Sequence, residues 1–149
     1  MSRGIRNNNP LNIRHGKSRW EGRTRVQTDA EFVIFTSMPF GYRAAWKLME
    51  TYQLRLRQAG ESYTLENIIH RWAPPEDGND TTAYLRTVIR LLDYKVAGRQ
   101  PLPSPSTKEG HRVFAKIIAA MTCVECGIRP TEVDRWSIEK GWTLAFGKE

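Results

Sequence analysis

The sequence predicts a mainly α-helical (α+β) domain with one small β-hairpin near its N-terminus. Apolar residues recur at helical spacing in several windows from residue 39 onward. The one convincing β signal, rich in β-branched and aromatic residues, lies within residues 19–36. The chain has 149 residues, 40% of them hydrophobic, which suits a single domain with one core. The expected organisation is therefore one domain over residues 1–149. It comprises a polar arm (1–18), a hairpin (19–36) and a helical core (37–149).

In the hairpin, Trp20–Val26 and Phe32–Phe35 are the candidate strands, and Thr28-Asp29-Ala30 is the turn. A first helix runs from Pro39, a good first-turn residue, to Gly60, a good stop. Ala45, Leu48, Met49, Tyr52 and Leu56 form its apolar stripe. A second begins near Leu65, turns Ile68, Ile69 and Trp72 inward, and ends at Ala73-Pro74-Pro75. A third is capped by Asp80 or Thr81, with Tyr84, Leu85, Val88, Leu91 and Leu92 on its core face. Pro101, Pro103 and Pro105 stiffen the next connection. Ser106-Thr-Lys-Glu109 has the capping-box pattern and opens the strongest helix, which ends at Gly127. Thr131-Glu-Val-Asp134 starts a last helix that brings Trp136 and Trp142 to the core.

The formal net charge is +7, which favours acidic partners: nucleic acid, an anionic membrane surface or an anionic cell-wall polymer. A basic solvated surface with no such partner accounts for the same charge. No segment has the apolar run of a membrane-spanning helix, and the opening Met1-Ser-Arg-Gly-Ile-Arg lacks the core of a secretory signal peptide. Synthesis in the cytoplasm is expected, with any later site of action reached by other means. Cys123 and Cys126 do not form a disulfide framework and sit at a helix end, unlike a redox motif. His15, His70 and His111 lack metal-ligand spacing, and no phosphate-cradling glycine loop is present. No metal or other cofactor is expected.

One carboxylate stands out. On the helix from Lys108, Phe114, Ile118 and Met121 share a narrow stripe flanked by Val113, Ile117 and Val124. Glu125 falls in the middle of it. Burial disfavours the charged form of a carboxyl, and an acid that keeps its proton is what a general acid requires. A glutamate in a last turn can also reach solvent, or pair with an arginine of the basic arm. Asp29 is a second candidate carboxylate, although aspartate is common in turns for local reasons. The run Asn7-Asn-Asn-Pro-Leu-Asn12 offers Asn8, Asn9 and Asn12 as paired donors and acceptors suited to sugar hydroxyls and acetamido groups. Trp20, Trp72 and Tyr84 offer flat faces for sugar rings, and Arg14 and Asn79 complete the candidate substrate-binding set. Each of these residues has a plain alternative as turn or core.

The stretch Arg3-Gly-Ile-Arg-Asn-Asn-Asn-Pro-Leu-Asn-Ile-Arg14 resembles the opening of a family of short phage and prophage proteins described as virion structural proteins, related to lysozyme-like cell-wall hydrolases. The likeness continues through Trp20-Glu-Gly22, Phe32-Val-Ile-Phe35, Gly41-Tyr-Arg-Ala44, Arg71-Trp-Ala-Pro-Pro75, Asn79-Asp-Thr-Thr-Ala-Tyr84 and Ala120-Met-Thr-Cys-Val-Glu-Cys-Gly127. Asn-Asn-Pro-x-Asn-Ile followed by Trp-x-Gly is similar to the amide-rich segment of bacterial glucosaminidases. Glu125-Cys-Gly127 is similar to the Glu-Ser-Gly of lytic transglycosylases, whose glutamate is the general acid/base. In those enzymes the glutamate helix precedes the amide segment, whereas here it follows. The resemblance implies a lysozyme-like helical domain acting on peptidoglycan as a glycosidase or lytic transglycosylase. Glu125 would be the acid, with Asp29 or the substrate's acetamido group stabilising the cationic centre. It equally implies a non-catalytic virion structural or glycan-binding protein, with other virion proteins as partners and a place in the particle or at the cell wall. Nucleic-acid binding, suggested by charge alone, ranks third, because no helix-turn-helix pattern is present.

Overall fold

A computed structural model describes residues 1–147. Among them the chain forms six α-helices: α1 (Arg3–Arg6), α2 (Met38–Gln58), α3 (Leu65–Trp72), α4 (Thr81–Leu91), α5 (Lys108–Cys126) and α6 (Arg135–Phe146). Short 3-10 turns lie at Pro75–Asp77 and Pro130–Glu132. No helix is long and apolar enough to cross a membrane among the described residues.

Side-chain oxygens that accept from otherwise orphaned backbone N–H groups define the helix starts. Thr64 accepts from Asn67, Asp80 from Ala83, Thr107 from Gly110 and Asp134 from Ser137. The cap of α5 is thus Thr107 rather than Ser106. The last helix begins after Asp134, because Thr131 falls in the preceding 3-10 turn. Gly127 ends α5 with φ at +64°, a conformation that costs glycine nothing.

The core forms where α2 and α5 turn their apolar faces together. Trp46, Met49 and Leu56 of α2 and Phe114, Ile117, Ile118 and Met121 of α5 are fully buried. Each such side chain contributes about 2 kcal/mol of burial free energy. α6 lies against α2 at backbone contact. A Cβ at Gly141 would stand 2.7 Å from the Tyr42 Cβ and 2.9 Å from the Arg43 nitrogen. Trp46 spans this seam and donates its indole N–H to the Ile138 carbonyl at 3.0 Å. Trp142 stacks on His111 with ring centroids 4.1 Å apart, whereas Trp136, expected in the core, is 69% exposed. At the start of α6 it projects away from the α2 face that Ile138 and Gly141 occupy.

The expected hairpin is absent: no strand forms among the described residues, only isolated bridges at Arg14–Phe32, Arg23–Phe35 and Thr64–Pro101. The α+β, lysozyme-like expectation gives way to an all-helical fold. Side chains have taken the positions a ladder needs. The Gln27 amide both accepts from the Ile34 N–H (2.8 Å) and donates to the Ile34 carbonyl (2.9 Å), standing in for a peptide group. Asp29 accepts from the N–H groups of Glu31 and Phe32. Residues 32–35 then divide their remaining bonds between two neighbours. Val33 donates to Ile13 and Phe35 to Asn7, while Ile34 accepts from Thr24. The β-favouring residues are used for burial, with Val33 and Phe35 at 3% and 1% exposure.

Candidate functional site

The arm is an ordered clamp. α1 lies against the end of α5 so closely that a Cβ on Gly4 would stand 2.9 Å from the Asn12 Oδ1 and 3.0 Å from the Cys126 sulfur. Asn9 is fully buried: its Nδ2 donates to the carbonyls of Ile13 (3.0 Å) and Val33 (2.8 Å), and its Oδ1 accepts from the Ile13 N–H (2.9 Å). Asn8, with φ at +53°, donates to the Phe35 carbonyl. Asn8 and Asn9 are not among the residues that line the cleft around Glu125; both hold the arm to residues 32–35.

Asp29 is likewise removed from the cleft. It forms a two-pronged pair with the Arg3 guanidinium at 2.6 and 2.7 Å and accepts from the Asn7 amide. The Arg3 guanidinium, then the Phe32 N–H, hold its carboxyl far below the usual aspartate range, and Arg3 also lowers Glu31. Because the folded value lies below the unfolded one, the pair stabilises the protein fully above the ordinary aspartate range. The contribution fades as pH falls beneath it. The urea midpoint of the wild type should therefore drop between about pH 5 and pH 2. Asp29→Asn should start lower at pH 5 and lose less over the same interval.

Glu125 sits differently. Its side chain, one residue from the end of α5, is half-buried. Its Oε1 accepts from the Asn12 Nδ2 at 3.1 Å, and its Oε2 accepts from the Trp72 indole N–H at 3.1 Å and the Tyr84 hydroxyl at 2.9 Å. Burial, then the adjacent Glu125 carboxylate, pushes the Tyr84 hydroxyl well above its ordinary value, so it remains a donor. No cation among the described residues lies within ion-pair distance of Glu125. A carboxylate at the negative end of a helix is unfavourable by about 0.3–1 kcal/mol. Such a departure from local preference is typical of functional positions.

The carboxylate forms part of the wall of a half-open cleft of about 840 Å³. Asn12, Arg14, Trp20, Trp72 and Asn79 line the same cleft, and Tyr84 reaches Glu125 from α4. Residues from the arm, α3, the following loop, α4 and α5 thus converge. Thr81 pins the loop by donating to the Ala73 carbonyl. The cleft also contains residues outside the expected substrate-binding set: Lys17, Phe32, Tyr52, Arg55, Arg71 and Asp77. Leu48, Tyr52 and Arg55 stand at i, i+4 and i+7 on α2, so a cation continuing an apolar stripe was the available signal. Arg14 pairs with Glu31 at 3.2 Å and Arg71 with Glu61 at 3.4 Å, leaving Lys17 and Arg55 without a carboxylate partner among the described residues. Burial raises the Tyr52 hydroxyl to about 12. The free thiols of Cys123 and Cys126 are buried and also raised by burial, which makes them poor nucleophiles.

These features define an all-helical protein with an oriented carboxylate in a cationic, aromatic-lined cleft. The chain belongs to the family of a phage protein. It is 33% identical over 148 residues to Protein P5 of Pseudoalteromonas phage PM2, covering 97% of this chain and 82% of that relative. No family model matches the chain.

Proposed function

We propose that this protein is a component of a phage particle that cleaves cell-wall glycan strands, with Glu125 as the general acid/base. The observation that carries the reading is the Glu125 carboxylate, oriented by three uncharged donors in the wall of the cleft. In the first step the Glu125 proton passes to the glycosidic oxygen as the bond from that oxygen to the anomeric carbon breaks. The electron pair leaves with the oxygen, and the substrate's acetamido group stabilises the cationic carbon. Trp20 and Trp72 present apolar faces to sugar rings, and Asn12 and Asn79 present amides to their polar groups. Lys17 and Arg55 suit the free carboxylates that peptidoglycan carries on its stem peptides. The relative's phage origin supports the particle setting and other particle proteins as partners.

A second reading, a non-catalytic particle or glycan-binding protein, is favoured by one observation. Both Glu125 oxygens are already engaged, and Asp29 is held by Arg3 away from the cleft. One experiment separates the two. Incubation of the pure protein with purified peptidoglycan sacculi is expected to release soluble glycan fragments in proportion to enzyme and time. Protein that sediments with sacculi and releases nothing establishes the second reading.

A further inference from the structure

A second cavity of about 530 Å³ shares no lining residue with the Glu125 cleft. It lies between the turn after α4 and the outer face of α5. Its apolar lining includes Leu91, Val96, Val113, Ala119, Ala120 and Cys123, where small residues leave the space open. Lys95, Arg112, Lys116 and Arg135 stand around it, with Asp93 the sole acid lining it.

The charge is uncompensated. Six arginines elsewhere, Arg3, Arg14, Arg43, Arg71, Arg99 and Arg129, have carboxylate partners. None of the four cations at this cavity does, among the described residues. Arg112 and Lys116 are also i,i+4 neighbours on α5, an arrangement of like charges that destabilises an isolated helix. Exposed Trp136 follows Arg135 in the chain, and exposed Tyr94, with φ at +58°, lies between Asp93 and Lys95. A cavity of this size is typical of small-molecule sites. Its chemistry asks for two things in one ligand: hydrocarbon for the floor and negative charge for the rim. A polyanion such as nucleic acid satisfies only the rim.

We propose that this cavity binds a single-chain anionic amphiphile, with its acyl chain on the α5 floor and its acidic head among Lys95, Arg112, Lys116 and Arg135. The test is isothermal titration of the full chain with dodecanoate, kept monomeric, alongside butyrate, a short single-stranded DNA and the neutral-headed dodecyl maltoside. Dodecanoate is expected to bind at one site, and shortening its chain to decanoate and octanoate should weaken binding about fourfold per methylene lost. The double variant Arg112→Glu, Lys116→Glu changes only exposed side chains and should remain folded. It should bind dodecanoate about tenfold or more weakly. Absence of dodecanoate binding, equal binding of butyrate or DNA, equal binding of dodecyl maltoside, or an unchanged affinity in the double variant would each overturn the proposal.

Discussion

Glu125→Gln is expected to reduce glycan release from sacculi by roughly 10²–10⁴-fold, the span over which a positioned general acid acts. The fold should be retained. The carbonyl of the substituted side chain can keep accepting from Trp72 and Tyr84, as the Glu125 Oε2 does now. The new NH₂ would face Asn12, and Asn12 has an answer, because its buried Oδ1 has no hydrogen-bond partner. Rotation of that amide turns an orphaned acceptor toward the new donor, in exchange for the 3.2 Å bond its Nδ2 makes to the Glu125 carbonyl. Unfolding free energy should therefore stay within about 1 kcal/mol of wild type, read by urea denaturation. Full activity in a folded Glu125→Gln protein would place the acid elsewhere. Loss of activity together with loss of folding would mean that the carboxylate is a structural tie between the arm, α3 and α4.

Asn9→Ala is expected to have the largest effect on stability of any change in the arm. Two backbone groups depend on that one amide, the Val33 carbonyl and the Ile13 N–H, while the Ile13 carbonyl, which it also engages, keeps the Val33 N–H. The site is fully buried, so water cannot replace the lost partners without opening the clamp. A loss of about 3 kcal/mol follows, measured by chemical denaturation, with the slope against denaturant unchanged. Activity should fall with the folded fraction and not ahead of it. A variant of near-native stability that no longer binds sacculi would instead put Asn9 in contact with the glycan.

Helices were legible because two independent signals coincide in them. The α5 stripe of Phe114, Ile118 and Met121 is a pattern of period 3.6, and Thr107 and Gly127 bracket it. The same geometry put Glu125 on the core side of the helix. In the structure it is half-buried in the cleft wall at the edge of the core, bonded to Asn12, Trp72 and Tyr84. The hairpin was misread because alternation and β-branching report suitability for a half-buried extended segment, not the identity of the bonding partner. Gln27 and Asp29 supply those partners from side chains, and side-chain competition leaves no periodic trace. The asparagine run was informative about polarity but not direction. Asn9 and Asn12 lie three residues apart, yet one faces inward to the clamp and the other toward Glu125. Left-handed backbone at Asn8 and Asn12, which asparagine tolerates, sets that difference. Arg55 was missed because a cation ending an apolar stripe usually marks the edge of the core.

Asn12 and Glu125 meet across 113 positions of sequence, and the arm that carries Asn12 is made earlier than α5. During synthesis the amide, Trp72 and Tyr84 emerge from the ribosome well ahead of the acid that they orient. A growing chain therefore cannot close this contact until the final turn of α5 has cleared the exit tunnel. Any chain cut short before residue 125 lacks the side chain on which the Asn12, Trp72 and Tyr84 donors converge.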